Sequence, residues 1–265
     1  MLAVGTFSRL RVPVPSRVDR QVAGVAMMLG PLVGVGLALV AAAVMLAGRA
    51  ALGGGVEPLL PAALALATVA WCTGGLHLDG LADVADGLAS RRPPDAALAI
   101  MRRPETGALG ALVLVLVVLI QVVALARAIG TGFGTDALVL ALVTGRVVMA
   151  AACVPGVPVA RPRGLGATMA GSVPRLGAVG LVVAVLLLAV VLGARDGDGG
   201  VAQAAGAVLA GLVAGALVVR RCVRRLGGVT GDVLGAAGEI AVTAVLVVCA
   251  ASPDLAGPDW DWLRG

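Results

Sequence analysis

The chain of 265 residues is 60% hydrophobic and 13% charged, with a mean hydropathy of +1.05, and that balance excludes a water-soluble globular domain of this size. Its formal net charge of +5 rests on arginine alone, since all twenty basic residues are Arg. Free amides find no water in a hydrocarbon core, so runs approaching the roughly 20 apolar residues that cross about 30 Å must be helical. Their Ala, Val, Leu and Gly content lacks the alternation of an outer-membrane barrel. The sequence predicts an all-α polytopic membrane protein, a bundle of about seven transmembrane helices.

The first apolar run, Val22–Ala47, follows four arginines and two prolines and is longer than the core of a cleavable signal. No A-x-A-like site with a polar region follows it, so it is expected to remain as a helix. Further spans are predicted at Val56–Thr73, Ala108–Ile129, Asp136–Val154, Leu176–Ala194, Val201–Val219 and Val233–Ala251. Cys72, Cys153, Cys222 and Cys249 lie in or beside different spans without C-x-x-C spacing and read as small buried apolar side chains. Seven spans put the N-terminal segment and the 74–107, 155–175 and 220–232 loops on one side of the membrane. Fifteen arginines fall on that side against four on the other, so it is expected to face the cytoplasm across the cell membrane, with the C-terminal tail outside.

Between the second and third spans, GGLHLDGLADVADGL (Gly74–Leu88) sets Asp79, Asp83 and Asp86 at i, i+4 and i+7, within roughly 60° of helix arc. His77 falls on the opposite side of that helix, and Leu78, Leu81, Val84 and Leu88 should bury part of it in the bundle. Three carboxylates at one spot repel each other and are costly beside a membrane unless a cation sits among them. Oxygen-only donors suit a hard divalent ion, Mg²⁺ above all, and such a metal in a membrane enzyme serves phosphate chemistry. Asp79, Asp83 and Asp86 are therefore candidate metal-ligating residues, the alternative being a solvated polar face on a surface helix.

The other loops on this face are basic and rich in glycine. MRRPETGALG (Met101–Gly110) puts Arg102 and Arg103 before the start of the third span, whose N-terminal amides are expected to be open to an anion. Ala160–Arg175 is a second such loop, and RRCVRRLGGVTGDVLGAAGE (Arg220–Glu239) opens the last span with Thr230, Gly231 and Asp232. Arg102, Thr230 and Asp232 are candidate substrate contacts. Arg146 and Glu239 lie deeper and must pair or line a cavity; Arg146 is assigned to the cavity, as a further contact.

HLDGLADVADGL with the TGG before it, MRR…GALG, LGGVTGDVLGAAGE and the N-terminal FSRLRVPVP together resemble the cobalamin synthases, the adenosylcobinamide-GDP ribazoletransferases, from about Thr6 to about Val247. The resemblance implies a single integral-membrane transferase domain over residues 1–265. Its implied reaction is Mg²⁺-dependent: a hydroxyl of α-ribazole, or of α-ribazole 5′-phosphate, displaces GMP from adenosylcobinamide-GDP in the last assembly step of cobalamin biosynthesis. Asp79, Asp83 and Asp86 become the metal set, one of them the base for the attacking hydroxyl, and Arg9 joins the substrate contacts. The implied partners are the two substrates, the lipid bilayer and other corrinoid-assembly enzymes; nucleic acid is not among them. The chain departs from the family at Arg103, where members often carry Asp, and in reading SRLRVPVP for T-R-L-P-V-P.

Two other functions compete. A CDP-alcohol phosphotransferase also expels a nucleoside monophosphate, but its DG-x-x-A-R signature fails here, where Asp79-Gly80 is followed by Leu81, Ala82 and Asp83. A cation-coupled transporter calls for mid-membrane charges and an internal repeat, whereas nearly all ionisable residues here lie on one face.

Overall fold

The computed structural model describes residues 2–9, 19–51 and 57–251, and these are helical nearly throughout. A short helix α1 (Leu2–Phe7) precedes α2 (Arg20–Met28), α3 (Gly30–Ala51), α4 (Leu59–Thr73), α5 (Leu76–Ala89), α6 (Pro94–Ile100) and α7 (Ala108–Gly130). Then come α8 (Gly134–Ala151), α9 (Leu165–Met169), α10 (Arg175–Gly193), α11 (Gly197–Leu226) and α12 (Gly231–Ala250). The ends carry ordinary signals: the Asp19 carboxylate accepts the Val22 amide at 2.9 Å to start α2, and the Thr230 hydroxyl accepts the Val233 amide at 3.2 Å to start α12. Asp254, Trp260 and Trp262 of the tail, like Arg11 and Arg17, lie outside the described residues.

Burial separates the bundle's centre from its rim. The most apolar windows of α8 and α12 are 78% and 67% buried, against 28% for α7. Leu112, Val115 and Leu119 of α7 and Leu187 and Val191 of α10 are exposed, as side chains facing lipid should be. α12 packs against α5, α7, α8 and α11, so residues at its start are held from several sides. Small side chains permit this closeness: Gly145 of α8 lies against Gly238 of α12, and Ala237 and Ala241 are fully buried.

The all-α class is as expected, but a count of seven spans is not established. Five described stretches are long and apolar enough to cross a membrane: Arg20–Ala51, Ala108–Gly130, Gly134–Ala151, Arg175–Leu226 and Gly231–Ala250. A sixth appears only if α4 and α5 together form one broken span. The 15 residues of α4 reach about 22 Å at 1.5 Å per residue, short of a core about 30 Å thick. The chain then turns by 88° through Gly74 and Gly75, both left-handed with φ of 65° and 72°. The 52-residue stretch Arg175–Leu226 counts once although it contains two helices, α10 and α11, that pack against each other.

The bundle interior is not wholly apolar. Arg146 of α8 is 1% exposed, with Nε and Nη2 lacking partners among the described residues, and the charge of Glu239 on α12 acts upon it. Glu239 Oε2 accepts Gln121 Nε2 at 3.1 Å, and the same amide reaches Thr243 Oγ1 at 3.0 Å. A buried charge stripped of its counter-charge is strongly destabilising. Glu239→Gln is therefore expected to lower the melting temperature in detergent, and adding Arg146→Met should restore part of it. Equal melting temperatures for wild type and Glu239→Gln would show that the two charges are not coupled.

Candidate active site

Two close backbone approaches build the site. Gly80 of α5 lies against the first turn of α12, where a Cβ would come within 2.8 Å of the Asp232 carbonyl oxygen and 2.9 Å of its Cα. The turn leading into α12 is stitched in turn to residues 158–160: Val229 N donates to Pro158 O at 2.9 Å and Ala160 N to Val229 O at 3.1 Å, a parallel bridge between Val159 and Val229. Gly228 sits beneath that bridge, against the backbone of Pro158, Val159 and Ala160, with no room for a side chain. Asp79 and Asp83 on α5, Asp232 on α12 and Arg161 just past the bridge are thereby brought to one place.

The charges act on one another there. Asp83, half-buried, stands in the repulsive fields of Asp79, Asp232 and Asp86 and the attractive field of Arg161. Asp79 is exposed, which leaves the cluster open on one side. Arg161 Nη1 is 3.8 Å from Asp232 Oδ2, and Arg161 Nη2 donates to the Leu98 carbonyl in α6 at 2.6 Å. Burial, and then the charge of Arg102, lower the Arg161 guanidinium from its ordinary value, while Asp232 and Asp83 oppose that shift. Arg102 itself is exposed beside α6.

Asp86 faces elsewhere. Its Oδ2 accepts the Gly107 amide at 2.7 Å and its Oδ1 the Gly110 amide at 2.8 Å. Gly107 is the N-cap of α7 and has no side chain to do this, so a carboxylate from α5 caps the helix instead. That corrects one expectation: these two amides at the start of the third span are not open to an external anion, because Asp86 occupies them. Among the described residues no three His, Cys, Asp or Glu side chains are gathered closely enough to hold a metal by themselves.

The remaining predicted contacts scatter. Thr230 is buried; its hydroxyl caps α12 and donates to Asp232 Oδ2 at 3.2 Å, so it orients a carboxylate. Arg146 is enclosed in the bundle. Arg9 stands over the Trp71 ring, with Cζ 4.8 Å from the centroid, and packs on Gly74 at the α4–α5 elbow. A cavity of about 920 Å³ opens beside it, lined by Leu32, Leu37, Trp71 and other largely apolar side chains, and it includes none of the aspartates. The aspartate cluster remains the candidate because it carries the ionisable chemistry. His77 is buried on the far face of α5, its ring centroid 6.2 Å from that of Phe7.

The family profile described as cobalamin-5-phosphate synthase matches residues 1–250. The chain belongs to the cobalamin-5-phosphate synthase family. Similar relatives are an adenosylcobinamide-GDP ribazoletransferase of Frankia casuarinae, 42% identical over 89% of this chain and 88% of the relative, and one of a Nocardioides species, 42% identical over 94% and 96%. A third, from Pseudomonas aeruginosa, is 37% identical over 94% of this chain and 96% of its own. No solved structure matches the chain.

In this member of the cobalamin-5-phosphate synthase family, Arg161 escaped the reading of the sequence as an individual residue. It sat in a loop already noted as basic, but its pairing with Asp232 depends on the bridge between Val159 and Val229, 70 residues apart, which no local pattern announces. The division within the acidic stripe yields a stability test. Asp86→Ala should lower folding stability by about 0.5–2 kcal/mol, as loss of a helix cap does. Asp79→Asn should leave it unchanged or raise it by relieving repulsion. Thermal melting in detergent without metal checks this, and equal losses in the two variants would contradict the division.

Proposed function

We propose that this protein is a membrane-bound adenosylcobinamide-GDP ribazoletransferase. It joins adenosylcobinamide-GDP to α-ribazole, or to α-ribazole 5′-phosphate, and releases GMP, the last assembly step of cobalamin biosynthesis. Membership of the family supports the activity. The observation that carries the assignment of the site is the meeting of Asp79 and Asp83 with Asp232 where Gly80 lies on the start of α12.

The hydroxyl oxygen of the ribazole attacks the phosphorus that bears the cobinamide; the new P–O bond forms as the bond between the two phosphates breaks, and GMP leaves with that oxygen. Asp232, oriented by the Thr230 hydroxyl, would accept the hydroxyl proton, in place of the α5 aspartate that the resemblance implies. Asp79 and Asp83 would hold Mg²⁺, which when bound neutralises diphosphate charge and the charge that develops on the leaving phosphate. Magnesium is commonly held by one or two carboxylates, with substrate phosphates completing its oxygen shell, so the donor set suits it without Asp86. Arg102, exposed and near Arg161, draws the anionic substrate toward the cluster.

The distribution of arginine supports a cytoplasmic position for this face in the cell membrane, where other corrinoid-assembly enzymes could associate with it. Membranes containing the protein, given adenosylcobinamide-GDP, α-ribazole and Mg²⁺, are expected to release GMP and form cobalamin, followed by chromatography. EDTA should abolish the release, and Asp83→Asn should lower it at least 10–100-fold, as loss of a metal ligand does. Full turnover in EDTA, or in folded Asp83→Asn, would overturn the metal assignment.

A further inference from the structure

Arg161 has unspent hydrogen-bonding capacity at the edge of the acidic cluster. A guanidinium presents five N–H donors in a planar fork that matches phosphate oxygens. Among the described residues Arg161 makes one hydrogen bond, from Nη2 to the Leu98 carbonyl at 2.6 Å. Its approach to Asp232 is 3.8 Å, beyond hydrogen-bond range, and its buried Nε has no partner. An arginine whose task was to neutralise Asp232 would close that gap, since a charge-assisted pair gains most near 2.7–2.9 Å.

Its position is fixed by the backbone. The Val159–Val229 bridge carries the loop that holds it, and the Leu98 carbonyl holds its outer nitrogen. The side chain is 16% exposed, so a ligand can reach it. Asp79, Asp83 and Asp232 would repel any anion, and Arg161 is the one basic residue in an ion pair with them among the described residues. Arg102 is near enough to add its field, but it is exposed and would be well screened.

We propose that Arg161 is a substrate-binding residue that takes the diphosphate of the nucleotide-bearing substrate on its free donors, opposite the carboxylates of α5. This deepens the transferase reading above and rests on it for the substrate's identity, while the preference for a diphosphate can be measured separately.

The test uses the full-length protein in detergent as wild type, Arg161→Gln and Arg161→Lys. Inorganic pyrophosphate with Mg²⁺ is titrated against the melting temperature, and KM and kcat for adenosylcobinamide-GDP are measured in parallel. Arg161→Gln is expected to weaken pyrophosphate stabilisation and raise KM by roughly 10–100-fold, the loss of one or two charge-assisted hydrogen bonds, with a smaller change in kcat. Arg161→Lys, which keeps the charge and loses the fork, should fall between. Unchanged pyrophosphate binding and KM in folded Arg161→Gln, or a wild type that pyrophosphate does not stabilise, overturns the proposal. A variant whose ligand-free melting temperature collapses while its folded fraction keeps wild-type KM makes Arg161 structural, and also overturns it. If the wild type binds pyrophosphate through Arg161 yet releases no GMP, the transferase reading fails and the diphosphate site stands.

Discussion

The contact between Gly80 and the first turn of α12 is the constraint on which the site depends. Two helices can approach until their backbones touch only where neither interposes a Cβ, and at Gly80 the atoms met are the Cα and carbonyl of Asp232 itself. Asp79 and Asp83 stand on either side of that glycine in sequence, so the approach brings the carboxylates of α5 within electrostatic reach of Asp232 on α12. A second backbone seam, under Gly228, adds Arg161 from a loop more than sixty residues upstream of the seam. The site is thus held by main-chain contact, which is stiffer than contact between long side chains.

The electrostatics follow from that geometry. Like charges within a few ångströms are unfavourable, and the structure relieves part of the crowding by turning Asp86 away to cap α7. That capping ties α5 to α7 while the Gly80 contact ties α5 to α12, so the acidic helix is fixed along its length. What remains at the open end is a group of carboxylates with a single paired guanidinium among the described residues.

The sequence made much of this legible. Composition and the length and pattern of the apolar runs pointed to the all-α membrane class, and the i, i+4, i+7 spacing placed Asp79, Asp83 and Asp86 along a helix whose Leu81 and Val84 are indeed buried, with His77 buried as well. Helical spacing gives direction around an axis and says nothing of what lies opposite. Asp86 therefore looked equivalent to its neighbours, when the amides of Gly107 and Gly110 were waiting for it 21 and 24 residues on. Nor does apolarity fix the span count: it marked Val56–Thr73 as a crossing, and the 88° turn at Gly74–Gly75 leaves α4 15 residues long, so that this crossing depends on α4 and α5 acting together. Arg146 was recognisable as an unusual buried charge, but its enclosure beside Glu239 follows from packing among α7, α8 and α12.

The carboxylates proposed to hold a metal are those brought together by the α5–α12 contact, while Asp86 serves α7. Mn²⁺ in place of Mg²⁺ makes this observable, because its paramagnetic resonance reports bound ion directly and couples to phosphorus of added pyrophosphate. Wild type and Asp86→Asn are expected to bind Mn²⁺ and show the phosphorus coupling, whereas Asp79→Asn and Asp83→Asn should lose both. Loss of bound Mn²⁺ in Asp86→Asn, with retention in Asp83→Asn, would contradict the account.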